Sequence, residues 1–360
     1  MPKTLHIAIC STSYYEYDRR LQRIAQALLS EGYELTWVSR TQEGNKSPLK
    51  GITHHIINTK FKNGPLFYLE YNWRIYRALK QIKPDLINAI DLDAIPGCSA
   101  GKGPTQKLTF DAHEIYYEVP ELINKPIKKS IWKAIARYYL PKIKHSYTVN
   151  HSLKLHHESL YNRSYTVVRN IGPVNQEPRL TFTNTKTLVY LGVLNVGRGI
   201  EIAIEAMRRR PDYKLILIGE GDLSQALREQ AAGLANVEFK GYVKPDSINT
   251  ILKTGSIGLN MLKAESLNYK LSLANKFFDY MHVGIPSINM KYPEYESIIN
   301  KDKVGLMVTD YTTDALLEAI TMMEDEMTYS ELSQNAIRCR ETYNWKVEKE
   351  KLLNLYRNIN

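Results

Sequence analysis

The chain has 360 residues, 43% of them hydrophobic and 10% aromatic, enough for two ordinary domains with real cores and too many for a disordered or fibrous protein. Its formal charge of +10 is uneven: residues 1–175 carry 25 Lys and Arg against 14 Asp and Glu, the remainder 23 against 24, so the first half suits an anionic partner. Cys10, Cys98 and Cys339 lie far apart without a CxxC pair, which suggests neither a disulfide framework nor a zinc site.

The opening run from Met1 to Cys10 reads as a first strand rather than a signal peptide, and no apolar run approaches the roughly 18–20 residues of a membrane span. A reducing, cytoplasmic compartment is expected. After the strand at 5–10, an amphipathic helix over 19–29 places Leu21, Ile24, Ala25, Leu28 and Leu29 on one face, and a strand follows at 35–39. Strand, helix, glycine turn and strand form a βαβ unit that opens a parallel sheet. The connecting loop, 11–18, has no glycine, so the dinucleotide fingerprint is absent and no cofactor pyrophosphate is expected here. Its Tyr14, Tyr15 and Asp18 are candidates for the acceptor side, the tyrosines by stacking on a sugar; ordinary loop packing explains them equally.

A strand at 84–90 ends in Asp91-Leu92-Asp93. Such a triplet can hold a divalent metal between two carboxylates. At a strand-to-helix junction it also reads as a helix N-cap, and no metal site is expected. The strand from Lys107 delivers Asp111-Ala112-His113-Glu114 at its carboxyl end, where open α/β sheets bind ligands. Residues 124–145 are the most basic stretch: Ile127, Ile131, Ile135 and Tyr138 recur at helical spacing among Lys128, Lys129, Lys133 and Arg137. Two readings stand, an interfacial helix on an anionic membrane and a core helix with a charged back. No nucleic-acid module accompanies the charge, so nucleic acid is not expected. Strands at 146–150 and 165–170 precede a proline-bearing linker at 171–178, which sets domain limits of 1–172 and 173–345.

The second half restarts the pattern with a strand at 187–192, a loop carrying Arg198 and Gly199, and a helix over 200–210. A buried strand at 214–219, a helix at 223–232, an alternating strand at 237–243 and a strand at 256–261 follow. Next a polar run reaches Ser272 and Asn275 and gives way to a helical pattern in Phe277, Phe278 and Met281. Gly284 and Pro286 stop it, and a strand begins at Ser287. The start of that helix, with Ser272, Leu273, Ala274, Asn275 and Lys276, offers backbone N–H groups, the positive end of the dipole and an ammonium to a phosphate. Asp279, one turn later, suits a sugar hydroxyl. A strand at 305–308 and a helical end over 330–360 complete the chain.

The string Asn275-Lys276-Phe277-Phe278-Asp279-Tyr280-Met281-His282-Val283-Gly284-Ile285-Pro286 closely resembles the donor-site signature of GT-B-fold retaining glycosyltransferases of family 4. The resemblance implies an α/β fold of two Rossmann-like, parallel-sheet domains facing across a cleft, with the terminal helix, about 346–360, packed back on the first. It implies that the helix start holds the donor diphosphate and that Asp279 contacts the ribose. The loop at 191–198 resembles the family's "G-R-L-x-x-x-K-G" loop, whose two cations neutralise the leaving diphosphate. Gly192 and Arg198 are kept, Val193 replaces the first cation, and Lys276 is expected to substitute for it. By position Tyr242 and Val243 inherit contacts to the base. His113, in "D-x-H-E", matches the family's histidine near the donor sugar. A second acid common in relatives, eight residues before Asp279, is here Leu271.

Those correspondences imply a retaining hexosyl- or related glycosyltransferase in cell-surface polysaccharide or lipopolysaccharide synthesis. His113, Arg198 and Lys276 would be its catalytic residues, a nucleotide-diphosphate sugar its donor and a glycan or lipid-linked molecule its acceptor. It would need no metal or cofactor, and would lie peripherally on an anionic membrane through 124–145. Three other readings stay open. A nucleotide-sugar epimerase of this fold needs an acid–base pair that the sequence does not locate. A catalytically silent nucleotide-sugar-binding protein is consistent with Val193 and Leu271. A nucleic-acid binder would show steep salt dependence.

Overall fold

The computed structural model describes residues 4–41, 49–119, 122–174, 177–178 and 184–359. Met1, Pro2 and Lys3 of the expected first strand, and Asn175 and Gln176 of the linker, lie outside them. The chain divides into two compact units, one of Met1–Asn170 with Glu348–Asn360 and one of Ile171–Val347.

The first unit holds seven parallel strands: β1 (His6–Tyr14), β2 (Glu34–Arg40), β3 (Ile52–Ile56), β4 (Leu86–Ile90), β5 (Lys107–Ala112), β6 (His145–Thr148) and β7 (Tyr165–Val167). Their spatial order is β3-β2-β1-β4-β5-β6-β7. All five residues of β4 are buried, apolar except Asn88, as in a strand covered on both faces. The helix Arg19–Ser30 is capped by Asp18, whose carboxylate accepts the Leu21 N–H at 3.0 Å, and it buries Leu21, Ile24, Ala25 and Leu28 against the sheet. Strand β3 and the helix Gly64–Ile82 have no counterpart among the sequence expectations. The strand is an edge with two histidines in five residues, and the helix is apolar on two faces, so neither shows a clean period.

The basic stretch forms the helix Pro126–Tyr139. Within it only Ala136 is fully buried, while Ile127 is 77%, Ile131 54% and Tyr138 61% exposed. The core-helix reading is thereby overturned. Trp132 anchors the helix by packing edge-on against Tyr68 and Tyr116, with ring centroids 5.0 and 4.7 Å apart. Among the described residues, no helix is long and apolar enough to cross a membrane.

The second unit holds six parallel strands, β8 (Thr187–Leu191), β9 (Lys214–Ile218), β10 (Val237–Gly241), β11 (Ile257–Asn260), β12 (Ser287–Met290) and β13 (Gly305–Val308), in the order β10-β9-β8-β11-β12-β13. Both sheets therefore have the doubly wound Rossmann-like pattern. In each, the order reverses once: between β1 and β4, and between β8 and β11. Ligands of open α/β sheets bind beyond the carboxyl ends of the strands at such reversals.

The helix Asn275–Val283 buries Phe277, Phe278, Tyr280 and Met281 and is closed by Gly284 in the left-handed region at φ 79°. It seats unusually close to β11, because a Cβ on Gly258 would stand 2.3 Å from the Tyr280 ring. At the other end of the chain, the helix Trp345–Arg357 runs across the boundary of the two units. Its Glu348 is fully buried in the first unit, where its carboxylate accepts the Arg169 N–H at 2.8 Å.

Candidate functional site

In the second unit the reversal between β8 and β11 gathers two loops, 192–199 and 261–274, and the first turn of Asn275–Val283. Gly192 takes φ 140°, a conformation that side chains rarely adopt, and its missing side chain leaves room for Lys276, whose Nζ lies 3.5 Å from where a Cβ would be. The ammonium sits 3.6 Å from the centroid of the Tyr190 ring. Burial pulls the Lys276 pKa well below its ordinary value, the neighbouring Arg198 pulls it further, and Asp279 opposes both only in part. Arg198 lies with its guanidinium 5.1 Å over the Tyr269 ring, and its Nε is buried without a hydrogen-bond partner among the described residues. Two crowded basic groups thus share one nearby carboxylate, Asp279, whose pull on Lys276 is weaker than that of burial and Arg198 together.

The backbone around them is braced by tyrosine hydroxyls. Tyr280 accepts the Leu191 N–H at 3.0 Å and donates to the Leu259 carbonyl at 3.1 Å, tying β8 to β11. Tyr190 donates to the Val193 carbonyl at 2.8 Å, and Tyr311 accepts the Gly199 N–H at 2.7 Å. Ala274 is the N-cap of the helix and no side chain caps it. Its own N–H goes to the Tyr295 hydroxyl at 2.8 Å, so Ala274 offers no amide to a phosphate. Ser272 donates its hydroxyl to the Tyr269 carbonyl at 2.8 Å, which leaves it only as an acceptor. The groups left at the helix start are Asn275, exposed at the first helical position, and Lys276; Leu273 is half-buried beside them. Val193 is 52% exposed and Leu271 closes the short helix Leu267–Lys270 as its C-cap. Tyr242, 75% exposed, follows β10 with Val243 on the turn, away from the ring-lined cations in sequence and set at the sheet edge.

In the first unit the reversal between β1 and β4 is lined differently. His113, just past β5, has Nε2 at 2.9 Å from Asp111 and Nδ1 at 3.3 Å from Asp91, and its backbone N–H donates to Asp91 at 3.0 Å. Asp111 is in turn gripped by the buried Arg20, through Nε at 3.1 Å and Nη2 at 2.9 Å. Burial alone would raise the Asp111 carboxyl, but Arg20 and His113 together bring it down to about 2. For His113 burial works downward and the two carboxylates upward, and the carboxylates win: its pKa stands well above the ordinary imidazole value. Asp93, buried beside Asp91, accepts hydroxyl bonds from Thr12 at 2.5 Å and Tyr116 at 3.0 Å, and is raised by burial and by Asp91 to about 6.

This corrects the sequence reading at three points. Asp91 is not an N-cap; Ile90 takes that place, and the Asp91 side chain is spent on His113. Tyr15 is 4% exposed, wedged edge-on against Trp37 and His54, so it has no open face for a sugar. Asp18 accepts from the Leu21 N–H and the Ser13 hydroxyl, a structural cap. Tyr14 alone of that trio keeps an exposed ring, with the Arg40 guanidinium 4.3 Å over it. Among the described residues, no group of three or more His, Cys, Asp or Glu is arranged to hold a metal ion.

Comparison with known proteins decides what these two sheets carry. Residues 18–171 match the family described as Glycosyltransferase Family 4, and residues 185–325 match that described as Glycosyl transferases group 1. The chain is a GT-B glycosyltransferase. The fold agrees: sucrose-phosphate synthase from Thermosynechococcus elongatus superposes with a TM-score of 0.81 over 99% of both chains at 14% identity. HepE of Anabaena, solved with UDP-glucose, gives 0.76 over 98% of this chain and 100% of that one at 16% identity. In sequence, the sulfoquinovosyl transferase SQD2 of Arabidopsis thaliana is 21% identical over 188 residues, 50% of this chain and 36% of that protein. This glycosyltransferase thus spans little more than a third of the length of the curated relative it matches.

Within the glycosyltransferase, sequence reasoning singled out Arg198 and Lys276 but not the rings that lie around them. Tyr190, Tyr269, Tyr280 and Tyr295 come from four separate elements and Tyr311 from the loop after β13. The available signal was compositional: 25 tyrosines against 7 phenylalanines, an excess of aromatic side chains that bring a hydroxyl.

Proposed function

We propose that this glycosyltransferase takes its sugar from a nucleotide-diphosphate donor held in the second unit, with Arg198 and Lys276 as the cations that receive the leaving diphosphate. The observation that carries the reading is the crowded pair of basic side chains, Arg198 and Lys276, beside the uncapped start of Asn275–Val283, at the strand-order reversal. Cleaving the anomeric C–O bond moves negative charge onto the departing diphosphate. Donors already fixed around that charge lower the barrier without reorganising. Asp279 on the same helix turn is assigned the ribose, Tyr242 and Val243 the base, and Gly192 the close approach of the backbone. Among structural neighbours, HepE was solved with UDP, with UDP-glucose, and with UDP and glucose, which supports a nucleotide sugar as donor here. Transfer with retention of configuration, without a resident metal, rests on the resemblance of Asn275 to Pro286 and of 191–198 to family 4.

The acceptor in this reading is a glycan or lipid-linked molecule reached at an anionic membrane, on its cytoplasmic face. Pro126–Tyr139 supports that part: isoleucines and a tyrosine stand exposed among Lys128, Lys129, Lys133 and Arg137. Binding to vesicles containing phosphatidylglycerol, lost with Ile127→Asp/Ile131→Asp and weakened by salt, is the expected result; equal binding of that variant sinks the membrane assignment. The donor is tested by thermal shift against UDP, GDP, ADP, CMP and dTDP and their sugars. A ligand at a hundredfold its Kd stabilises by about 2.7 kcal/mol. One diphosphate should shift the wild type and not Lys276→Ala or Arg198→Ala. A flat response to all of them overturns the donor site.

A further inference from the structure

The surroundings of His113 restrict what that residue can do more tightly than its place at the sheet edge suggests. Each ring nitrogen faces a carboxylate oxygen, Nε2 at 2.9 Å from Asp111 and Nδ1 at 3.3 Å from Asp91. A neutral imidazole has one N–H and one lone pair. Whichever nitrogen carried the lone pair would point it at an anionic oxygen, so only the doubly protonated ring satisfies both contacts. The two carboxylates are themselves held. Asp111 is fully buried and doubly bonded to Arg20, which is 4% exposed and also donates to the Val168 carbonyl at 2.9 Å.

Asp91 is held by its backbone. It takes φ 56°, the left-handed region that a non-glycine residue enters only at a cost, and there its second oxygen receives the His113 N–H. The strain buys nothing for the helix that begins at Asp91, since no side chain caps it. It serves to bring the carboxylate over the imidazole.

We propose that Asp91 is a positioning residue of this glycosyltransferase: with the Arg20–Asp111 pair, it grips the His113 ring by both nitrogens and makes it a fixed cation rather than a proton acceptor. His113 then has no ring nitrogen free to deprotonate an acceptor hydroxyl. Its contribution to sugar transfer is electrostatic, a positive charge at the reversal between β1 and β4. This rests on the reading of the protein as a donor-dependent transferase, but the state of the ring does not. The groups that face the ring are Asp91, just past β4, and Asp111 from β5. Behind Asp111 stand Arg20 from the first helix and Tyr147 from β6, whose ring is 5.8 Å from the Arg20 guanidinium.

The test is an NMR titration of the histidine ring signals in the full-length protein, with His113 identified by the resonance lost in His113→Gln. In the wild type the His113 signal should hold its protonated position from pH 6 to pH 8. In Asp91→Asn, which keeps the size and the tolerance of a left-handed backbone, its midpoint should fall by at least one pH unit. A wild-type midpoint near the ordinary 6.5, or one that Asp91→Asn leaves in place, overturns the proposal. Because Asp111→Asn strands a buried Arg20 and risks unfolding, Asp91→Asn is the decisive variant, with its melting temperature as the check on folding. In the same protein the pH profile of kcat should gain an alkaline limb in Asp91→Asn that the wild type lacks over pH 6–8; matching profiles count against the assigned role. Should no donor be turned over, the titration still decides the state of His113, while the donor reading fails separately.

Discussion

Lys276 is a cation placed where charge is costly, and that cost bears on how a ligand would be bound. Burial and Arg198 favour the neutral amine in the free protein, whereas a diphosphate beside it would favour the ammonium. Binding should therefore be coupled to proton uptake: a group whose pKa rises on binding takes up a proton between its free and bound values, and affinity declines as pH climbs through that window. Calorimetric titration with the diphosphate that gives the thermal shift, in two buffers of different ionisation enthalpy, should show uptake that vanishes in Lys276→Met. Equal apparent enthalpies in both buffers would show that Lys276 is already charged. At this scale the sequence was informative about identity and poor about environment. Lys276, Arg198 and His113 stand out in a string of letters because their motifs are local. The carboxylates around His113 come from the residue just past β4 and from β5, twenty residues apart, and the rings around the basic groups come from separate segments. Only the folded sheet brings them together.

The helix Asn275–Val283 shows how an element is aimed. Its start, stop and following strand were all legible, since the end of a polar run, a stop glycine and the switch from helical to strand spacing are written in adjacent residues. Its depth was not, because that depends on Gly258, seventeen residues before it and on another element. With no side chain at 258, the Tyr280 ring lies flat against β11 and its hydroxyl reaches both Leu191 and Leu259. Gly258→Ala should push the ring outward, at about 1–3 kcal/mol for overpacking a filled core, and carry Lys276 away from Tyr190 with it. The expected outcome is a lowered melting temperature together with a loss of the diphosphate-induced shift larger than the fall in stability explains. If the variant melts lower yet keeps the full shift, helix depth and phosphate site are independent. The exposed helix Pro126–Tyr139 is the reverse case, in which periodicity marked an apolar stripe correctly but carried no information on whether protein covers it.

At the scale of the whole chain, the first unit is discontinuous, built from Met1–Asn170 and Glu348–Asn360, whereas the second is one uninterrupted segment. The returning segment is a structural part of its unit: Leu352, Leu353 and Tyr356 are buried in it, and Glu348 binds Arg169. Deleting Glu348–Asn360 should therefore lower the melting of the first unit by several kcal/mol, as expected for losing large buried side chains, and leave the second nearly unchanged. Two calorimetric transitions that separate on deletion are the expected reading; a uniform drop in both would show that the units unfold as one. The same discontinuity has a meaning for biosynthesis. A ribosome that has finished Asn170 must add 190 further residues before the first unit possesses its last helix, roughly 10–40 s at about 5–20 residues per second. Through that interval the nascent basic unit, with its exposed isoleucines, waits unfinished while the second unit, encoded entirely within the gap, is free to fold first. The second unit can thus fold before the first, although its residues are translated later.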